Sequence, residues 1–167
     1  IFSGNVTVGV GTTNGAKSLQ FTVSDAELRS SNGNISFTVV PPPPANDECA
    51  NPTAVSEGTI AWDNASATDS AFAGPSCTFS SPANFHKDIW FLYTPTVSGL
   101  MNVGTCGTNQ DTVIAIYDTC GGTELACDDD TCDGVTPPGS SLASFIGNFS
   151  VSAGVPVYIR VGSWGTS

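Results

Sequence analysis

The chain contains one run of acidic residues with an obvious capacity for chemistry. Asp128, Asp129 and Asp130 are consecutive, and Asp133 follows after two further residues. Hard cations such as calcium take six to eight oxygen ligands, which clustered carboxylates supply. The run lacks the Gly and Glu offsets of an EF-hand loop. We predict a calcium site here; the alternative is a solvated acidic turn between two cysteines.

Six cysteines are the second group with a defined chemistry. No C-x-x-C pair occurs, and the single histidine, His86, is far from the cysteine cluster, so disulfides are favoured over a zinc site. An even count in a Gly- and Thr-rich chain indicates an oxidising compartment and three bridges. Six cysteines allow fifteen pairings, and the spacing does not select one. The pairing we favour is Cys49–Cys77, Cys106–Cys132 and Cys120–Cys127.

Catalytic residues are not indicated by the sequence. His86 stands beside Lys87 and Asp88, but a nucleophile needs a base held by a third group, and no G-x-S-x-G elbow is present. Paired carboxylates for glycoside cleavage cannot be singled out among fifteen acids. Asp88 fits a structural role better because it opens an aromatic strand. We predict that the chain is not an enzyme.

Three tryptophans offer a possible ligand surface. Trp90 lies in an apolar run and is expected in the core, whereas Trp62 and Trp164 stand near a turn and near the chain end. Exposed aromatic rings present a flat apolar face on which a sugar ring can stack. Trp62 and Trp164 are therefore candidate ligand aromatics, with carbohydrate as the candidate ligand.

The composition excludes several classes of partner. The chain is 40% hydrophobic and only 11% charged, with a formal net charge of −11. Nucleic acids and anionic membranes both require a basic surface, so neither is an expected partner. No run of 18 apolar residues occurs, and we expect no membrane insertion. Without an initiator Met, Ile1 is expected to be a processed start or the edge of a larger chain.

Alternating apolar runs bounded by turn residues predict an all-β protein. Residues 1–40 hold three such runs, at 6–10, 19–23 and 35–40, and the prolines at 41–44 favour a stiff spacer. We predict an N-terminal strand-rich extension at residues 1–40, a linker at 41–45, and at 46–167 an antiparallel β-sandwich of jelly-roll or immunoglobulin-like type. Its predicted strands lie near residues 59–62, 88–95, 99–105, 111–117, 143–151 and 155–162. In the last of these, Arg160 is expected to point outward.

Several motifs occur in an order and spacing that resemble a known family. They span residues 46–162 and are Asn46-Asp47-x-Cys49, Asp88-Ile89-Trp90-Phe91-Leu92-Tyr93-Thr94, Thr105-Cys106-Gly107, Asp111-Thr112-Val113-Ile114-Ala115-Ile116-Tyr117-Asp118, Leu125-Ala126-Cys127-Asp128-Asp129-Asp130 and Ala153-Gly154-Val155-Pro156-Val157-Tyr158-Ile159-Arg160-Val161. The chain resembles the cysteine-bearing form of the bacterial pre-peptidase C-terminal domain family. That resemblance implies a small β-sandwich on secreted or surface proteins, with non-catalytic roles and, in some relatives, bound calcium. It also adds Asp111 and Asp118 as acids that can converge on the aspartate run.

The resemblance implies that the sandwich lacks its last strand. In that family another strand follows the segment at 158–161, whereas here the segment at 31–40 looks like that strand and precedes the prolines. We therefore expect the sandwich to have an open edge that a neighbour's strand fills. The expected donor strand is Asn34, Ile35, Ser36, Phe37, Thr38, Val39 and Val40.

Strand donation of this kind predicts a structural role outside the cell. Head-to-tail donation that does not close on itself builds filaments or fibres. We expect an extracellular or cell-surface structural or adhesive protein whose partners are neighbouring copies of itself or adjacent tandem domains. The alternatives are a self-completed sandwich and a non-catalytic carbohydrate- or protein-binding module of a secreted enzyme.

Overall fold

The chain divides into two compact units at the proline run. The computed structural model describes residues 13–24, 27, 29–78, 84–132 and 142–165. Unit 1 comprises Ile1–Pro42 and unit 2 comprises Pro43–Ser167. The predicted strand at residues 6–10 lies outside the described residues.

The described part of unit 1 forms an antiparallel hairpin of two ten-residue strands, β1 (Gly15–Ser24) and β2 (Ser30–Val39). Leu19 pairs with Ile35 and Lys17 pairs with Phe37. Because cross-strand partners project to the same side, these four residues share one face of the hairpin. The predicted donor segment thus lies in β2, except Val40, which follows it.

Unit 2 is a two-layer β-sandwich. Its strands are β3 (Thr53–Val55), β4 (Phe85–Tyr93), β5 (Gly99–Gly104), β6 (Thr112–Tyr117), β7 (Glu124–Asp129), β8 (Phe145–Val151) and β9 (Val157–Trp164). The larger sheet has the order β3-β4-β9-β6-β7, and the smaller sheet pairs β5 with β8. The predicted all-β sandwich is confirmed, although the short edge strand β3 runs parallel to β4.

The strand patterns explain which predictions were right and which were wrong. Residues 59–62 form no strand; Ile60 and Trp62 instead pack on the core from an irregular segment. The sequence pattern missed β7, because the acids and Ala in Glu124–Asp129 are poor strand formers. It forms a strand by pairing with β6, in which all six residues are buried.

Both faces of the larger sheet are covered. On one face Phe91, Ile114, Ile116, Ile159 and Val161 form the main core, with Ile146 and the partly buried Met101 and Val103 of the smaller sheet. On the other face Trp90, Ala115 and Tyr117 pack with Cys49. A central strand covered on both faces buries every side chain, which is why β6 is an uninterrupted apolar and aromatic run after Thr112.

Arg160 contradicts the expectation that it points to solvent. It is 1% exposed and lies on the Trp90 face, in register between Trp90 of β4 and Ala115 of β6. Its Nε donates to Asp88 Oδ2 at 2.8 Å, and its Nη atoms donate to Ser70 Oγ and the Ala73 carbonyl. The outward prediction was wrong because the segment around residues 70–73 covers this face and supplies the polar partners of the guanidinium.

All six cysteines form disulfides, but with a different pairing from the favoured one. The bridges are Cys49–Cys120, Cys77–Cys127 and Cys106–Cys132, so only the last was predicted. Cys120 and Cys127 cannot meet, because Cys120 lies in the β6–β7 turn while Cys127 is paired opposite Ala115 along the hairpin. Cys120 instead bonds to Cys49 and Cys127 to Cys77, and both of these partners lie in segments that cover the sheet.

Candidate functional site

A groove opens beside β5, over the main-core face of the larger sheet. Its floor includes Phe91, Ile114, Ile159 and Val161, and its volume is about 1010 Å³. The walls are β5, through Met101 and Val103, and the end of β3 with the irregular segment at residues 56–63 that follows it. The groove therefore lies over the sandwich core, and its floor residues are themselves buried.

The groove exists because the two sheets are unequal. The smaller sheet contributes β5 and β8, and on its outer side β5 has no paired strand in the described part of unit 2. Leu100 of β5 is 69% exposed, and Met101 and Val103 are only partly buried. An edge strand of this kind presents unpaired N–H and C=O groups along an apolar surface.

The rim of the groove carries acidic and aromatic groups. The Tyr93 hydroxyl donates to Glu57 Oε1 at 2.7 Å. This hydrogen bond lowers the pKa of Glu57 and raises the pKa of Tyr93, because it stabilises the carboxylate and the protonated phenol. Asp63, also at the groove, accepts a hydrogen bond from the Ala65 amide. The rim is therefore negatively charged at neutral pH.

The two candidate ligand tryptophans lie in different places. Trp62 lines the groove, is half-buried and packs against the core. Trp164 ends β9, where its amide donates to the Asp111 carbonyl at 3.0 Å. Sequence reasoning identified Trp62 but missed the groove residues around it, since unequal strand numbers become visible only in the folded chain.

Three of the predicted metal-ligating aspartates converge. Asp111 precedes β6, Asp129 ends β7 and Asp130 follows it, and one carboxylate oxygen of each lies within 4.8 Å of the others. The β6–β7 pairing produces this meeting, because it aligns Asp129 with Val113, two residues after Asp111. Asp130 adopts a left-handed φ of 72°.

The carboxylates of this cluster repel one another. Burial, then the neighbouring charges of Asp130, Asp111 and Asp128, raise the pKa of Asp129 to about 6. Burial and Asp130 raise the pKa of Asp111, and burial and Asp128 raise that of Asp130. Asp129 Oδ1 is buried and has no hydrogen-bond partner. A cation placed among these carboxylates would relieve both the repulsion and the unsatisfied oxygen.

Two other acids named from the sequence have different surroundings. Asp128 Oδ2 accepts hydrogen bonds from the Phe145 amide and the Thr131 hydroxyl, which join the end of β7 to the start of β8. Asp118 accepts a hydrogen bond from the Thr123 amide in the β6–β7 turn, at the opposite end of β6 from Asp111. Asp133, also predicted as a ligand, lies outside the described residues.

His86 takes part in a local structural contact. Its Nδ1 lies 2.8 Å from Asp69 Oδ2, and Asp69 also accepts a hydrogen bond from the Lys87 amide. These hydrogen bonds, led by the Lys87 amide, lower the pKa of Asp69. They hold the bulge between His86 and Ile89, where Lys87 has a φ of 53°.

Comparison with known families identifies the sandwich. Residues 45–137 match the model of a T9SS-associated family described as galactose binding domain-like. The chain belongs to this family. No curated protein and no solved structure gives a significant match to the galactose-binding-domain-like chain. This match does not confirm the resemblance to the pre-peptidase C-terminal family, but it confirms the β-sandwich that the resemblance implied.

Family and disulfides together define the class of protein. Residues 45–137 form a galactose-binding-domain-like module of a non-catalytic, binding type, and this family and the three disulfides are typical of a secreted or cell-surface protein. None of the described residues forms a helix long and apolar enough to span a bilayer.

Proposed function

We propose that the chain is a structural or adhesive extracellular subunit or repeat that joins neighbouring copies, or adjacent tandem domains, by β-strand addition beside β5. One observation carries this proposal: a two-stranded sheet faces a five-stranded sheet, and a groove of about 1010 Å³ runs along the free edge of β5. A strand lying in that groove would pair with the β5 backbone and cover the partly buried Met101 and Val103.

Strand addition of this kind joins two copies through different surfaces, so the interface is not symmetric. The donor surface and the acceptor groove are different parts of the chain, so each added copy leaves one donor and one groove free. Contacts of this head-to-tail type form filaments unless the rotation closes a ring. The module then acts as a building unit of a surface fibre.

Light scattering and negative-stain electron microscopy test the proposal. The full chain is expected to form concentration-dependent ordered polymers, and Ile60→Arg, which places a charge in the groove wall, is expected to remain monomeric. Glu48→Gln, at an exposed position away from the groove, is the matched control. Polymers of Ile60→Arg equal to those of the unaltered chain would reject the groove as the assembly site.

Carbohydrate binding by a module of a secreted enzyme is the second candidate function. It is favoured by the family description and by Trp62, whose ring lies in the groove next to polar rim groups. Titration with galactose, followed by tryptophan fluorescence and calorimetry, is the test. Trp62→Ala should abolish binding and Trp164→Ala should retain it; saturable binding unchanged in Trp62→Ala would exclude the groove as the sugar site.

Cation binding at Asp111, Asp129 and Asp130 is also proposed. Its support is the convergence of three carboxylates around a region where Asp129 Oδ1 is buried without a partner. Oxygen ligands of this kind suit calcium, with water and backbone oxygens completing its shell. The cation would fasten the β6–β7 hairpin to the chain entering β6.

A further inference from the structure

The β1–β2 hairpin has one apolar face and one polar face. On the apolar face Ile35 and Leu19 are 52% and 44% exposed, alongside Phe37 and Val39. On the polar face Ser18 pairs with Ser36 and Gln20 pairs with Asn34. A two-stranded hairpin is marginal on its own in water, and among the described residues of unit 1 no further strand covers this apolar face.

The groove of unit 2 requires a strand of this pattern. Its floor is apolar and its open side faces solvent, so an occupant must alternate apolar and polar side chains. Strand β5 has six residues, which is roughly 20 Å of edge. The segment from Ile35 to Val39 places three apolar side chains at alternate positions along roughly 13 Å, within that length.

The two units differ in formal charge. Residues 1–42 contain two acids, Asp25 and Glu27, and two cations, Lys17 and Arg29, which cancel, so the whole formal charge of −11 belongs to residues 43–167. Lys17 lies on the apolar face of the hairpin, opposite Phe37. The rim of the groove carries Glu57 and Asp63. The neutral hairpin with its lysine is therefore not repelled by the acidic groove, as a surface of the acidic unit 2 would be.

We infer that the occupant of the groove is the β1–β2 hairpin of a second copy, which enters as a two-stranded unit with Ile35, Phe37 and Val39 over the groove floor. This inference rests on the proposed function and names its partner. The edge of β2 that does not face β1, which has no paired strand among the described residues, pairs with β5, and β1 remains outermost. The smaller sheet then has four strands, β1-β2-β5-β8, facing the five-stranded sheet.

Mixing two full-length variants tests this inference. The hairpin variant carries Ile35→Asp and Phe37→Asp, and the second aspartate faces Lys17, so hairpin pairing is retained. The groove variant carries Ile60→Arg. Each variant alone is expected to be monomeric in light scattering, and an equimolar mixture is expected to stop at a dimer. Ser36→Asp, on the polar face of β2, should polymerise like the unaltered chain, and urea unfolding verifies that every sandwich is folded.

The outcomes separate the inference from the proposed function. A hairpin variant that polymerises while the groove variant does not would overturn the hairpin as occupant and leave the groove as the assembly site. A groove variant that polymerises normally would overturn the proposed function. An unaltered chain that stays monomeric at every concentration would overturn both the inference and the proposed function. This holds also if the chain stays monomeric because its own hairpin fills its own groove.

Discussion

Arg160 and Asp88 form a buried ion pair, with Nε and Oδ2 2.8 Å apart and both side chains at most 2% exposed. The guanidinium also lies 4.6 Å from the Phe85 ring centroid and 5.2 Å from that of Trp90. Ser70 donates to both Asp88 oxygens through its amide and hydroxyl, and Trp90 Nε1 donates to Oδ2. The pair thereby attaches the segment around residues 70–73 to the Trp90 face of the larger sheet.

Removing one member of this pair should destabilise the sandwich strongly. We expect Asp88→Ala to lower the free energy of unfolding by about 3–5 kcal/mol, because the guanidinium remains buried without its counter-charge. Urea unfolding measures the change. The double variant Asp88→Leu with Arg160→Met should recover most of the loss, since it leaves no buried charge; a double variant as unstable as Asp88→Ala would show that the loss is one of packing.

The melting temperature measured with added calcium should be higher than that measured with a chelator. Binding to the folded state alone stabilises it by about 2.7 kcal/mol at a concentration one hundred times the dissociation constant. Asp129→Asn is expected to lose this shift, whereas Glu48→Gln, which also removes one charge, should keep it. Equal melting temperatures with calcium and with chelator would remove the proposed site.

In the absence of calcium, the pH dependence of the free energy of unfolding should reflect the titration of Asp129. Its pKa is about 6 when folded and about 3.9 when unfolded. Between these values the folded state binds more protons, so this group's contribution to stability falls as pH rises from about 4 to about 7. Urea unfolding across that range should show a weaker decline for Asp129→Asn than for the unaltered chain. Parallel curves for the two proteins would contradict the raised pKa.

The long-range bridge Cys49–Cys120 should contribute strongly to stability. It spans 71 residues, and the chain-entropy model then gives roughly 4 kcal/mol, against roughly 3.5 kcal/mol for a loop the size of that closed by Cys106–Cys132. Replacing both members of each pair by Ser and measuring urea unfolding tests this order. Mass spectrometry of peptides from the non-reduced protein distinguishes the observed pairing from Cys49–Cys77.

The strands with strong periodic patterns were predictable from the sequence. Residues 113–117 form an uninterrupted apolar and aromatic run because β6 is covered on both faces, and this pattern can be read from the segment alone. Strand β7 has no such signal, because its stability comes from pairing with β6. Thr53–Val55 is only three residues long and owes its assignment to its pairing with β4.

The candidate sites were predictable only in part. Asp129 and Asp130 are adjacent in sequence, but their meeting with Asp111 depends on the register of β6 against β7. Arg160 was misplaced because alternation shows which side of a strand a residue occupies, not whether a loop covers that side. The cysteine pairing failed for a similar reason: it depends on which segment crosses the sheet.

The three bridges overlap along the chain. Cys49–Cys120, Cys77–Cys127 and Cys106–Cys132 each begin before the previous one ends, so every peptide bond between Cys49 and Cys132 lies inside at least one covalent loop. A protease that cuts once anywhere in this stretch therefore releases no fragment. The pairing Cys49–Cys77 with Cys106–Cys132 would have left residues 78–105 outside any loop. Outside the cell, where proteases are met without chaperones or repair, this arrangement keeps a nicked domain in one piece.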